Sequence, residues 1–286
     1  MDGIINVYKP KGMTSHDVVN RVRRIAGTKK VGHTGTLDPD AEGVLPICIN
    51  RGTKVADMLT ASGKRYTAAF ALGITTDTLD IGGNVLDRRP VNVTVKQIVE
   101  AIKSFEGKIE QIPPMYSAVK VGGRKLCDLA RKGVEVERKA RTVEIYEINI
   151  LDVKEDAFTI DVKCSKGTYI RTLGSDIGEK LGCGAVMTSL VRTQSSVFEI
   201  ANSVKLDDLT PENYGDYVIL AEDLFDCEKI TVKGNLLKKV LNGNAIPFDG
   251  EEGRQYRVYD ENGRFLCLSC MNEGLLKVDI MFFIGE

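Results

Sequence analysis

The segment from Lys30 to Pro46, KVGHTGTLDPDAEGVLP, constrains the backbone more than any other part of this chain. It carries three glycines, two prolines and two threonines around Asp38 and His33. Glycine reaches positive φ and lets a backbone approach another group closely. The proline after Asp38 steers that aspartate away from helical φ/ψ. A plain surface loop needs none of this. The pattern predicts a carboxylate fixed at the start of a turn, restrained as a catalytic side chain must be. An aspartate before proline is in general a turn former and nothing more. The companion segments therefore decide its meaning.

Periodicity supplies a frame. Ile4–Tyr8 reads as a strand stopped by Lys9-Pro10-Lys11-Gly12. Thr14 or Ser15 then offers an N-cap to a helix with Val18, Val19, Val22, Ile25 and Ala26 on one face and Arg21, Arg23 and Arg24 on the other. Tyr66–Leu72 reads as a strand, and Thr94 with Gln97 as the capping box of a helix closed by Gly107. Val143–Leu151 and Phe158–Cys164 read as a hairpin, and Asp176–Leu181 as a short helix between glycines. Further on, Asn235–Leu241 reads as a helix. Arg254–Tyr259 and Phe265–Ser269 read as a hairpin turning at Asn262-Gly263, and Leu275–Phe283 as a last strand.

Charge is unevenly spread along a chain whose net charge is −1. Residues 1–65 hold 11 Lys+Arg against 6 Asp+Glu, while residues 205–286 hold 9 against 16. Residues 120–141 hold eight basic residues against Asp128, Glu135 and Glu137. Two basic stretches on a near-neutral protein suit a polyanionic substrate, although charge runs are usually just solvated surface. No apolar run is long enough to span a bilayer and no signal peptide is apparent, so a cytoplasmic location is expected. The seven cysteines are scattered and odd in number, which suits reduced thiols. Cys267-Leu268-Ser269-Cys270 lacks the further soft ligands that zinc requires, and both histidines lie far away in sequence. No Rossmann or P-loop glycine signature is present, so no metal or organic cofactor is expected.

Five segments stand out as motifs. They are Tyr8–His16, Gly32–Pro39, Gly63–Tyr66 continuing to Leu72–Asp80, Ile112–Lys120 running on to Gly133, and Cys164–Leu173. In this order they closely resemble the bacterial tRNA pseudouridine-55 synthase family, called TruB. The resemblance runs from residue 4 to about 200 and more loosely beyond. It implies an α+β enzyme with the pseudouridine-synthase fold, whose mixed, largely antiparallel central sheet is flanked by helices. It also implies a catalytic domain over residues 1–228, with a basic thumb-like insertion near 120–141. A small PUA-like β domain is expected over residues 229–286. The implied reaction cuts the N1–C1′ bond of uridine 55 in the tRNA T-loop, rotates the base and rejoins it through C5.

By that resemblance Asp38 is the nucleophile, able to attack either C1′ of the ribose or C6 of the uracil. Arg171 is expected beside it, holding the carboxylate ionised and lowering its pKa. Read as part of a strand, Tyr169 and Arg171 would share a face. Tyr66 is expected to stack on the flipped base and to handle the C5 proton, with Tyr169 and Leu190 lining the uracil pocket. His33 is expected to help extrude the nucleotide. Lys9, Lys120, Arg131, Lys132 and Arg192 are expected on the substrate side. The chain has Val191 where the family commonly has Arg, and Cys127 where many members have Tyr. The implied partner is the T-arm of tRNA, with the acceptor stem as a further contact. A monomer with no obligate protein partner is expected. Two rival readings are a guide-RNA-dependent synthase of the dyskerin type, which shares the Lys-Pro and Leu-Asp-Pro segments, and a non-catalytic tRNA-folding chaperone. Intact Asp38, Tyr66, Tyr169 and Arg171 count against the latter.

Overall fold

Strand Lys64–Leu72 buries every second residue, so one face of the principal sheet is already written in its sequence. The structure, a computed structural model, describes residues 1–283. That strand pairs antiparallel with Ala157–Cys164 on one side and with Ala185–Ser195 on the other. Beyond Ala157–Cys164 follow Arg141–Val153 and Gly107–Gln111. Beyond Ala185–Ser195 follow Glu42–Ile49, Gly3–Lys9 and Val204–Lys205. Most neighbours are antiparallel. The exceptions along this path are Glu42–Ile49 against Ala185–Ser195, and Gly3–Lys9 against Val204–Lys205. The sheet is therefore mixed and largely antiparallel, as expected.

Helices cover the sheet in two places. Val95–Lys103 starts at the Thr94/Gln97 capping box. Together with Ile170–Lys180 it buries Ile98, Ile102, Leu173 and Ile177 against Phe70, Phe158 and Ile160. The Phe70 and Phe158 rings stack 4.9 Å apart. Ser15–Ile25, capped by Thr14, packs Val18, Val19 and Val22 on Leu45, Ile47 and Ile49. No helix among the described residues is long and apolar enough to cross a membrane.

Two local expectations need correction. The helix expected at Asp176–Leu181 starts at Ile170, with Tyr169 as its N-cap. Strand Ala157–Cys164 ends in a turn, where Gly167 takes φ +81° and the Thr168 hydroxyl donates to the Ser165 carbonyl at 3.0 Å. Arg171 thus sits in a first helical turn, and the two-residue strand spacing from Tyr169 does not apply. The second hairpin does not close on Asn262-Gly263 alone. The Asp260 carboxylate accepts from the amides of Asn262 and Arg264, at 3.0 and 2.8 Å, and builds a longer turn.

Residues 228–283 form a second sheet, in the order Glu228–Thr231, Gln255–Tyr259, Phe265–Asn272, Leu275–Met281 and Ile246–Pro247, with helix Gly234–Leu241 beside it. It has its own cluster around Val240, Ile246, Val258 and Leu266. A further cluster joins Leu268 and Phe282 to Ile4, Cys48, Val55 and Leu59, so apolar packing continues between the two sheets. All seven cysteines are free.

Candidate active site

The Gly/Pro-dense segment forms a loop between strands Val31–His33 and Glu42–Ile49, pinned along its length. The Asp38 carbonyl accepts from the Ala41 amide at 3.1 Å, a β-turn with Pro39 in its second position. The Ser15 hydroxyl accepts from the Leu37 amide at 2.8 Å and lies 3.1 Å from the Leu37 carbonyl. Lys9 is wholly buried, and its ammonium donates to the carbonyls of Pro10, Pro39 and Ala41 at 2.8, 3.0 and 2.6 Å. Burial pulls the Lys9 ammonium down to about 8, with Glu42, Asp40 and Asp38 opposing. Gly43 takes φ +101°, and a Cβ there would lie 2.3 Å from the Arg192 carbonyl oxygen. Only glycine permits that close approach.

This frame presents Asp38 to a cleft of about 880 Å³. Its Oδ2 lies 3.0 Å from Arg171 Nε, and the Asp38 side chain is 40% exposed while that of Arg171 is 6% exposed. The rest of the guanidinium is occupied. Nη1 donates to the Thr78 carbonyl at 2.8 Å and lies 3.5 Å from Asp80 Oδ2, and Nη2 donates to the Tyr116 carbonyl at 2.9 Å. Arg171 therefore ties the Asp38 loop to two other loops of the cleft.

The net shift of Asp38 runs against the sequence expectation. Burial pushes its carboxyl above the usual range; Arg171 opposes this, and Asp80 adds to it. The arginine does favour the anion, but desolvation outweighs it.

Tyr66 and Arg192 face each other across adjacent strands. Arg192 is 1% exposed, and it donates to the Val44 carbonyl at 2.7 Å and the Gly35 carbonyl at 3.1 Å. Burial raises the Tyr66 phenol, and the guanidinium of Arg192 against its hydroxyl pulls the other way. Burial, and after it Arg192 and His16, lower the His33 imidazole below its usual value. Its Nδ1 accepts the Gly35 amide at 3.2 Å, which leaves the ring proton on Nε2.

His33, Asp38, Arg171, Leu190 and Arg131 all line the cleft. Tyr66, Tyr169, Lys9, Arg192, Lys120 and Lys132 do not. For Lys9 and Arg192 the reason is burial: Lys9 donates to carbonyls of the Asp38 loop and its flank, and Arg192 to the carbonyls of Val44 in the following strand and Gly35 in the loop, so both hold this region in place. Tyr66 lies beneath the surface, 8% exposed. Tyr169 caps its helix with its amide and carbonyl held by the Gln111 side chain, at 2.7 and 3.1 Å. In the basic insertion, hairpin Lys120–Val121/Arg124–Lys125 leads to helix Leu126–Ala130, anchored by the fully buried Leu126. It turns Lys125, Cys127 and Arg131 toward the cleft and leaves Lys120 and Lys132 on the outer surface.

Sequence reasoning missed Asp80, Lys125, Ser15 and Gln111. Asp80 was visible as the last residue of the Leu72–Asp80 segment, and Lys125 as part of the basic run. Ser15 was read only as a cap, and Gln111 carried no signal. Among the described residues no group of His, Cys, Asp or Glu is arranged to hold a metal ion.

Three family profiles cover most of the chain. The TruB family pseudouridylate synthase N-terminal domain matches residues 23–170. The tRNA pseudouridylate synthase B C-terminal domain matches residues 171–230, and the pseudouridine synthase II TruB C-terminal profile matches 229–282. A tRNA pseudouridine synthase B of Clostridium kluyveri is 46% identical over 288 residues, covering 99% of this chain and 100% of that one. That of Alkaliphilus oremlandii is 51% identical over 248 residues, covering 86% and 83%. Among solved structures, a Cbf5–Nop10–Gar1 complex matches with TM-score 0.72 at 28% identity, covering 98% of this chain and 85% of that one. An H/ACA RNP bound to a substrate RNA containing 2′-deoxyuridine matches with TM-score 0.70 at 26% identity, covering 99% and 85%. On the fold, the site and these likenesses together, the chain belongs to the TruB family of pseudouridylate synthases.

Proposed function

We propose that this chain isomerises uridine 55 in the T-loop of tRNA to pseudouridine, with Asp38 as the nucleophile on a flipped-out base. The observation that carries the assignment is the Asp38 carboxylate, fixed in a turn, bound by Arg171 at 3.0 Å and still 40% exposed to the cleft. A carboxylate held by one charged donor keeps a free lone pair for attack. Its partial desolvation removes water that an attacking anion must otherwise shed. The relatives' names specify tRNA as their substrate.

The reaction conserves atoms. The N1–C1′ bond breaks, a C5–C1′ bond forms, the C5 proton leaves and N1 takes up a proton. Attack at C1′ and attack at C6 both begin at Asp38. Tyr66, a neutral phenol, is suited to stack on the uracil as the cleft opens. The buried Arg192 would stabilise the phenolate that forms if the hydroxyl takes part in moving the C5 proton. Extruding a stacked nucleotide costs a few kcal/mol. His33, Leu190 and cations of the insertion, Lys125 and Arg131, are placed to offset it. Residues 229–286 act on this reading as a PUA-like module that touches the acceptor stem, and residues 1–228 as the catalytic domain. The protein would work in the cytoplasm as a monomer without cofactor. The guide-dependent alternative is not favoured: identity to the Cbf5 complex is 28%, against 46–51% to the two bacterial tRNA pseudouridine synthases.

Tritium release from a T-arm transcript labelled at uridine C5 tests the proposal. Wild type should release tritium, and Asp38→Asn should bind the RNA but release none. Full turnover by Asp38→Asn would refute the nucleophile assignment. Binding without release by wild type would favour the chaperone or guide-dependent reading.

A further inference from the structure

Ile81 brings an apolar side chain to the cleft that holds Asp38. It lines the cleft, yet 54% of its surface is exposed. Its carbons are covered only by water and are available to any apolar surface that enters the cleft.

The loop that carries it is tied down by hydrogen bonds. Its chain reversal requires Leu79 at φ +63°, a conformation that costs a non-glycine residue free energy. Asp77 Oδ1 accepts the Asn84 amide at 2.8 Å, and Asp80 Oδ1 accepts from the Thr78 hydroxyl and the Gly82 amide at 2.8 and 3.2 Å. The Ile81 amide donates to the Met187 carbonyl at 2.9 Å, and the Met187 amide to the Leu79 carbonyl at 3.1 Å. The loop also abuts the catalytic turn. A Cβ at Gly82 would lie 3.8 Å from Asp40 Oδ2, and Asp80 shares Arg171 with Asp38. Strain and hydrogen bonds thus hold one exposed apolar side chain beside the nucleophile.

We propose that Ile81 is a wedge that packs on the nucleobase face uncovered when the target uridine leaves the stack. This rests on the proposed function. Extrusion exposes the faces of the neighbouring bases to water, and an apolar side chain inserted at that step recovers part of the unstacking cost. Ile81 forms no bond to the reacting atoms. It is a positioning residue that shifts the equilibrium between stacked and extruded uridine.

The test uses the full chain in an Asp38→Asn background, which halts chemistry, and a T-arm RNA with 2-aminopurine beside the target uridine. Fluorescence reports unstacking. Ile81→Ala should cut the fluorescence rise at saturating RNA to less than half while affinity changes by no more than about fivefold. In the otherwise wild-type enzyme it should lower kcat for tritium release about tenfold, the scale expected from removing three carbons of a half-buried side chain. Ile81→Leu should restore both. An unchanged fluorescence amplitude in Ile81→Ala, with wild type active, would overturn the wedge and leave the proposed function standing. No tritium release by wild type would overturn both. Because the side chain is exposed, Ile81→Ala should melt within a degree or two of wild type. A large drop would assign Ile81 to loop stability and overturn the wedge.

Discussion

The consequential residue pair is Asp38 and Arg171. Burial drives the Asp38 carboxyl upward and Arg171 restrains that rise. On the proposed function the reactive form is the Asp38 anion, so kcat/KM should fall as pH drops through the Asp38 pKa. Removing the cation raises that pKa further, so the acid limb should move to higher pH in Arg171→Gln. The loss of a charge-assisted donor should also lower the plateau by about 10²–10³-fold. Arg171→Lys keeps a cation nearby and should move the limb less. A pH profile of single-turnover tritium release for the three proteins decides this, and an unmoved limb in Arg171→Gln would show that the ionisation observed is not that of Asp38. At this scale the sequence placed Asp38 and Arg171 together only through the family resemblance. The resemblance also put Lys9 and Arg192 on the substrate side. A motif position says nothing about burial, and both cations lie buried against backbone carbonyls of the Asp38 loop and the strand that follows it.

At the scale of elements, the decisive event is how the catalytic loop is threaded onto the sheet. Gly43 pairs with Arg192 in the parallel ladder between Glu42–Ile49 and Ala185–Ser195. Gly43→Ala would force positive φ on a residue with a Cβ and push that carbon against the Arg192 carbonyl. A loss of at least about 2 kcal/mol is expected, together with a melting temperature lower by about 5 °C. Circular dichroism melts and tritium release should fall together, because the same close approach sets the Asp38 turn and the Arg192 position. An Ala variant that melts like wild type would mean that the strand pair can slide apart without cost. The hairpin Val143–Leu151/Phe158–Cys164 and the Thr94-capped helix were legible from alternation and capping, which are local signals. The start of helix Ile170–Lys180 was not, because strand and helix meet within a few residues and the turn at Gly167 separates them.

For the whole molecule, the question is how a protein of net charge −1 holds a polyanion. Sign asymmetry answers it in part: the basic insertion folds back so that Lys125 and Arg131 face the cleft that holds Asp38. Arg131 shares its charge with Asp128 only loosely, at 3.6 Å and with both exposed. In Lys125→Ala/Arg131→Ala the slope of log K against log salt for tRNA binding should become shallower by about 1.5, or about 0.7–0.9 for each phosphate no longer neutralised. Filter binding between about 50 and 200 mM salt, a range over which such an effect is large, would measure it. An unchanged slope would place the phosphate-binding cations elsewhere, for example on the helix bearing Arg21 and Arg24.

What is written locally could be read from the chain alone: the alternating strands, the capped helices, the rigid Gly/Pro turn at Asp38 and the family to which the five ordered segments point. Which of those residues meet was settled by packing in three dimensions. One buried guanidinium joins Asp38, Asp80, Thr78 and Tyr116, and the nearest of these lies 55 residues from Arg171 along the chain. The same holds for the balance of desolvation against charge at Asp38. Solvent exclusion and the mutual field of charged groups depend on distance in space, which spacing along a chain does not fix.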